Sequence, residues 1–199
     1  MPVTINGNGT ITGLSVGGLP DGIVDTDTLA NGAATQAKRT YSTGEIIQTV
    51  STTLTSATTS TLSTNGEVTL ISRTYTPQFS TSNALIQCSV HLDIAGSYGG
   101  MFINLARDNF YFARGDAAGN RRQCTIVPDF SNSTFGGPLR SMTILDTSIS
   151  GTSQVTYKVN LLDQSGGGGE YYLNTGRDNT DYNYILRPVS TLTVMEIAA

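Results

Sequence analysis

The stretch ALIQCSVHLDIAG, residues 84–96, decides the fold class. Ile86, Cys88, Val90, Leu92 and Ile94 alternate with Gln87, Ser89, His91 and Asp93. Strict period two over this length predicts a strand with one buried and one wet face. GGMFINLARD, residues 99–108, repeats the pattern with Met101, Ile103 and Leu105, and a short aromatic piece, NFYFAR, follows at 109–114. Upstream, GEIIQTVSTTLT (44–55) opens the β-rich region, TSATTSTLSTN (55–65) reads as an edge strand or a loop, and EVTLISRTYTPQF (67–79) is stopped by Pro77. Downstream, RSMTILDTSIS (140–150) and SQVTYKVNLLD (153–163) read as a hairpin joined through Gly151. After the turn of four glycines at 166–169 come EYYLN and the terminal STLTVMEIAA. Residues 115–138 form a long irregular excursion with one expected strand at QCTIV. About eight strands separated by turn signals predict an all-β, antiparallel β-sandwich of jelly-roll type.

Composition agrees. The chain has 199 residues, only 13% of them charged, with 22 glycines and abundant Ser and Thr. It is long enough to bury a real core. Residues 1–43 differ from the rest: INGNGTITGLSVGGLPDG (5–22) is a set of short β-like pieces, and IVDTDTLANGAATQAK (23–38) suggests one helical turn capped by Asp25 or Asp27. We therefore expect an N-terminal appendage over 1–43 and a head domain over 44–199.

Charge and motifs exclude several functions. The net charge is −4 and the pI about 4.8, and no basic stripe suits nucleic acid. No apolar run is long enough to span a membrane, and the N-terminus lacks the basic and apolar regions of a secretory leader. Synthesis in a reducing cytosol is the resulting expectation, with Cys88 and Cys124 as unbridged thiols. No cofactor or metal motif is present: Asp21, Asp25 and Asp27 miss the calcium-loop spacing, and the glycine run lacks the Lys and Ser/Thr of a phosphate loop.

No catalytic set is complete either. His91 has Asp93 two residues on, but no nucleophile elbow accompanies them. Asp178 and Asp181 flank a Gly/Asn-rich turn beside Arg177, where turn chemistry and an ion pair explain them. The RGD at 114–116 and the sequon at Asn132 have no meaning without an extracellular or secretory setting. Tyr171, Tyr172, Tyr182 and Tyr184 cluster near the last turn, and Phe110, Tyr111 and Phe112 form a second aromatic group. Such rings serve either recognition or packing at the end of a sandwich.

The terminal strand raises a separate question. Leu192 and Val194 point to one face, Met195 and Ile197 to the other, and only Glu196 interrupts the apolar run. A chain end usually frays into water. Burial of one side on its own sandwich and the other on a neighbouring subunit accounts for it, so Leu192, Val194, Met195 and Ile197 are the expected interface strand.

Taken in order, these segments resemble virion structural proteins of tailed bacteriophages, of the tail-fibre-like kind with a C-terminal all-β head. INGNGTITGLSVGGLPDGIVDTDTLA is similar to their N-terminal segment and AKRTYSTGEIIQTVSTTLT to the junction into the head. Leu145-Asp146, Tyr157-Lys158-Val159, Tyr172 to Asn174 and Met195 to Ala198 match the ordered closing pattern. The match is weakest over residues 107–140. The resemblance implies a non-enzymatic homotrimer in the virion, assembled in the host cytoplasm with other phage proteins. Which part of the virion is not given by the resemblance; our expectation is a fibre tip or spike mounted by the N-terminus, with a host surface glycan or other receptor as its partner. A capsid decoration protein without receptor binding is the alternative. A carbohydrate depolymerase is a third reading, which the missing β-helix repeat and absent tryptophan disfavour. Recognition is expected in loops on a rigid scaffold: Arg107, Tyr111, Arg114, Arg121 and Arg122 in the excursion taken with its approach, residues 107–138, and Tyr182 with Tyr184 in the last turn.

Overall fold

The computed structural model describes residues 4–5, 11–12, 39–95, 100–127, 136–164, 167–178 and 180–199. The chain divides into two compact units, Met1–Thr40 and Tyr41–Ala199. In the first, β1 (Thr4–Ile5) pairs antiparallel with β2 (Ile11–Thr12). The helical turn expected near Asp25, and the sequon at Asn132, lie outside the described residues.

The second unit is an antiparallel β-sandwich, and no helix occurs among the described residues. Its strands are β3 (Ile46–Leu54), β4 (Thr58–Leu62), β5 (Glu67–Tyr75), β6 (Asn83–Ala95), β7 (Met101–Arg107), β8 (Phe110–Phe112), β9 (Leu139–Asp146), β10 (Val155–Asp163), β11 (Gly169–Leu173) and β12 (Ser190–Ile197). The larger sheet runs β3-β12-β6-β11-β4, with β9 also on β6; the smaller runs β5-β10-β7-β8. The alternation read in residues 84–96 is realised in β6, where Ile86, Cys88, Val90, Leu92 and Ile94 are buried. They meet Ile103 and Leu105 of β7, Tyr157, Val159 and Leu161 of β10, and Leu192 and Val194 of β12 in one core.

Two local expectations are corrected. β9 and β10 are not a hairpin: β9 pairs with β6 and β10 with β5 and β7, so residues 147–154 cross from one sheet to the other. Period-two patterns specify which face is buried but not which strand lies alongside. QCTIV is not a strand; Ile126 makes a single bridge to Ile103.

A buried asparagine organises the larger sheet where its pairing changes over. The His91 amide donates to Ser190 Oγ (3.1 Å), and the His91 carbonyl accepts from the Asn174 amide (3.0 Å). A residue's N–H and C=O point to the same side of a strand. β12 and β11 therefore lie in series along one edge of β6. Asn174 has φ 55°, a left-handed conformation that Asn tolerates better than most residues. Its Nδ2 donates to the carbonyls of Leu54 (2.8 Å) and Ser56 (3.1 Å), and its Oδ1 accepts from Ser190 Oγ (2.5 Å). The β3–β4 bend, the end of β11 and the start of β12 are thus joined through one side chain.

The terminal strand is central rather than frayed, between β3 and β6. Glu196 lies on its inward face with Leu192 and Val194, and is fully buried. Its carboxylate accepts from Gln48 Nε2 (2.6 Å), Ser82 Oγ (2.6 Å) and the amides of Gln78 (2.9 Å) and Phe79 (3.0 Å). Replacing it with Ala leaves those donors without an acceptor in a fully buried site, and each such loss is costly. Glu196→Ala is expected to destabilise the head by about 3 kcal/mol, read as a lower urea midpoint with an unchanged m-value. A shift below a quarter of that size would show that water replaces the carboxylate.

Candidate functional site

Two surfaces of the sandwich stand out. The first is the outer face of the smaller sheet. Period two sends Phe102, Asn104 and Ala106 of β7 outward, opposite Leu162, Asn160 and Lys158 of β10. Phe102, Asn104 and Ala106 are nevertheless buried, and the 113–125 part of the excursion contributes to the pocket above this face. Two adjacent hollows result. One, of about 160 Å³, is lined by Glu67, Thr69, Asp108, Tyr111, Lys158 and Asn160, among others. The other, of about 270 Å³, is lined by Arg114, Arg121, Arg122 and Gln123 over Phe102 and Asn104. Tyr111 lines both.

Local bonds hold the excursion to the sheet. Thr125 Oγ1 accepts from the Leu105 amide (3.0 Å), and the Thr125 amide donates to Asn104 Oδ1 (3.1 Å). The Gly115 amide reaches the Cys124 carbonyl (3.1 Å), while Gln123 Nε2 donates to the Gly115 carbonyl (2.7 Å), closing the loop on itself. Arg122 is fixed by Gln164, through Oε1 (2.8 Å) and the carbonyl (2.7 Å). The Arg114 guanidinium lies 5.5 Å from the centre of the Tyr111 ring. Arg121 makes no side-chain bond among the described residues. In the first hollow Asn160 Nδ2 donates to Glu67 Oε1, Thr69 Oγ1 donates to Asn160 Oδ1 (2.9 Å), and the Tyr111 hydroxyl sits against Glu67 and Asn160. Burial, then the Glu67 bond and charge, push the Tyr111 phenol up to about 12. It therefore stays protonated as a donor at neutral pH.

The expected recognition residues separate accordingly. Tyr111, Arg114, Arg121 and Arg122 come together. Arg107 is not with them: it faces inward, where its Nη1 pairs with Asp146 (2.6 Å) and Ser148 Oγ (3.1 Å). At the end of a strand the face is set by register, and Arg107 is in register with the buried Tyr157. Tyr182 and Tyr184 stack on each other, centroids 5.2 Å apart at 10°, on an exposed loop and away from both hollows. Tyr171 and Tyr172 are buried, and Phe112 packs on Tyr157. Glu67, Thr69, Lys158 and Asn160 were not picked out by sequence reasoning, because only the register of β5 on β10 puts them beside Tyr111.

The remaining chemical candidates serve structure. The His91 ring Nδ1 lies 3.1 Å from the Gly137 carbonyl, not from Asp93. A Cβ at Gly137 would come within 2.7 Å of the Asp93 amide, so glycine allows this close approach. Asp93 is buried and pairs with Arg177 (3.2 Å), which also donates to the Ile94 carbonyl (2.5 Å). The ion pair expected of Arg177 is therefore made with β6, while Asp178 accepts the Thr180 amide in its own turn. Cys88 and Cys124 are both free thiols, and burial pushes Cys88 up to about 12. No group of three His, Cys, Asp or Glu among the described residues is placed to hold a metal. No helix among them is long and apolar enough to cross a membrane.

The second surface is the outer face of the larger sheet. Leu192 and Val194 lie within the chain's own core and have no surface to offer a neighbour. Met195 and Ile197 face outward. Register places Thr49, Met195, Leu85 and Leu145 in one row. Ser51, Thr193, Gln87 and Thr143 form the next, then Thr53, Thr191, Ser89 and Ser141. Ile46 and Ile197 border the apolar row. None of these fourteen positions carries a charge.

No protein-family model matches the chain, and no curated protein matches it. Among solved structures it is similar to the infectious bursal disease virus VP2 subviral particle, with 13% identity over 76% of this chain and a TM-score of 0.35. It is also similar to the structure of the infectious bursal disease virus Gx strain, with 14% identity over the same share and a TM-score of 0.30. The chain spans 38% of the length of each.

Asp146 supplies a pH test of the inward cluster. Burial alone would raise its carboxyl. The Ser148 hydroxyl and amide bonds, the Tyr157 hydroxyl and the Arg107 charge outweigh that, and the net direction is below the ordinary value of 3.8. Its contribution to stability is therefore complete above 3.8 and lost as pH falls through the lower folded value. Asp146→Asn is expected to lower the melting temperature at pH 7 and to converge on the parent as pH falls toward about 2. A gap that stays constant with pH would show that the carboxylate's charge contributes nothing.

Proposed function

We propose that this chain is a virion structural protein that assembles as a homotrimer through the outer face of its larger sheet. Its 113–125 loop is then left as the recognition surface of a fibre tip or spike mounted by the N-terminal unit. The observation that carries the reading is the uncharged face of β3, β12, β6 and β9. Only 13% of this chain is charged, yet the smaller sheet's outer face holds Glu67, Lys158 and, above it, three arginines. The β3, β12, β6 and β9 part of the larger sheet keeps charge off its outer surface, with Asp93 and Glu170 lying further along, where β6 pairs with β11, and an uncharged patch suits a partner because no ion is desolvated on contact. The apolar row at Leu85, Leu145 and Met195 supplies the hydrophobic centre of such a contact. The ordered sequence resemblance to tail-fibre-like virion proteins supports the same reading and contributes the trimer. Binding without turnover is the chemistry we assign to the hollows.

Native mass spectrometry of the full chain tests assembly. The parent is expected as a trimer, and the double variant Leu85→Glu/Leu145→Glu as a monomer with the parent's far-ultraviolet circular dichroism. Both side chains point outward, so the fold tolerates the change. A trimer that survives it would remove this face from the interface. Immunogold labelling of particles carrying an epitope-tagged chain gives the location. Label at the tail tip supports the fibre, label over the head supports decoration, and unlabelled particles overturn the virion reading.

A further inference from the structure

We propose that the paired hollows on the smaller sheet form one binding site for an acidic saccharide, with its anionic group at the arginines and its hydroxyls at Glu67 and Asn160. This deepens the receptor half of the proposed function and rests on that reading for its biological setting.

The argument is the polarity of the groove from end to end. Its lining is continuous: Ala106, Asn104 and Phe102 follow one another on the outward face of β7, opposite Lys158, Asn160 and Leu162 of β10. Tyr111 stands where the two hollows meet. The larger hollow has three guanidinium groups and no carboxylate in its lining. Arg122 already spends two donors on Gln164, and Arg114 lies over the Tyr111 ring, so both are held in place. Arg121 has no side-chain bond among the described residues and keeps its full set of donors for a ligand. Planar donors of this kind suit a carboxylate or sulfate.

The smaller hollow has the opposite character. Glu67, Asn160, Thr69 and Tyr111 form a bonded set of acceptors and donors around a space of about 160 Å³. Such mixed groups recognise hydroxyls, which donate and accept at once. Lys158 adds a cation, but Asp108 and Glu67 line the same hollow. A phosphate backbone crossing both hollows would meet these carboxylates, which argues against nucleic acid. An apolar ligand would cover the polar ends of Glu67, Asp108, Lys158 and Arg121 without offering them a partner. A molecule with an anion at one end and hydroxyls at the other meets the arginines of the larger hollow and the Glu67–Asn160 set of the smaller one at once. An acidic sugar has that chemistry.

The loop's own bonds make the site rigid before binding. The Gly115–Cys124 and Gln123–Gly115 contacts and the Thr125 bonds to β7 fix the loop without using Arg121. Less ordering is then needed when a ligand enters.

Titration calorimetry of the full chain with four probes tests the assignment: a trisaccharide ending in one sialic acid, a galactose tetrasaccharide with a single terminal sulfate, a neutral galactose tetrasaccharide and a thymidine tetranucleotide. At least one acidic saccharide is expected to bind at least tenfold more tightly than the neutral saccharide and the oligonucleotide. That binding is expected to weaken as salt rises, and to fall at least tenfold in Arg121→Ala and at least threefold in Asn160→Ala. Arg121→Ala removes no described bond, so its melting temperature is expected to match the parent and any loss is a loss of contact. Equal binding of the neutral saccharide overturns the anionic end, and tighter binding of the oligonucleotide overturns sugar recognition. Unchanged affinity in Arg121→Ala, or no binding of either acidic saccharide at about 1 mM, overturns the site. Particle labelling and saccharide binding are separate measurements, so the virion reading and this one fail independently.

Discussion

The Glu196 carboxylate is the constraint on which the head domain depends. It sits in the terminal strand, fully buried, and is reached by Gln48 of β3, by the backbone at Gln78 and Phe79, and by Ser82 just before β6. One side chain thereby ties the last strand to the first strand of the sandwich and to the β5–β6 connection. A buried carboxylate is tolerable only when its acceptor capacity is filled. The β5–β6 connection is therefore held to the path that fills it.

The same logic recurs at the other buried acids. Asp146 binds Arg107, Tyr157 and Ser148 and so links β9 of one sheet to β7 and β10 of the other. Asp163 accepts from the amides of Asn65 and Gly168 at the end of β10. Asp93 holds Arg177 and with it the loop after β11. In a chain with so few charges, four carboxylates among the described residues are placed inside, and each holds a connection by its hydrogen bonds. The apolar core supplies the main driving force for collapse, but it is non-directional; these acids make the path of the connections specific. Holding the connections leaves the two outer faces free to differ. One carries an uncharged patch over β3, β12, β6 and β9, and the other is roofed by a loop that concentrates the arginines.

The candidate site was half legible in the sequence. Tyr111, Arg114, Arg121 and Arg122 fall within one excursion, and an arginine- and tyrosine-rich loop longer than a hairpin requires is itself a signal of binding. Arg107 belonged to the same stretch but points into the sandwich, since the strand runs one residue further than the loop pattern suggests and its pairing with Tyr157 sets its face. Glu67, Thr69 and Asn160 carried no signal, being single polar positions on separate strands. Likewise, Leu192 and Val194 could be read as one side of an interface strand, but whether that side met the chain's own core or a neighbour depended on what lay across from it.

By itself the sequence determined the fold class, the strands with strong alternation, the inward set of β6 and the outward direction of Met195 and Ile197. These follow from periodicity and backbone geometry, which are local. The tertiary structure decided that β9 and β10 lie in different sheets, that Asn174 sits in a left-handed turn joining three strand ends, and that Glu196 is a fully buried, hydrogen-bonded acid rather than a break in an apolar run. Each of those depends on which strand lies alongside which. Alternation names a face and leaves the neighbour open, and only the closed set of hydrogen bonds around the buried polar groups selects it.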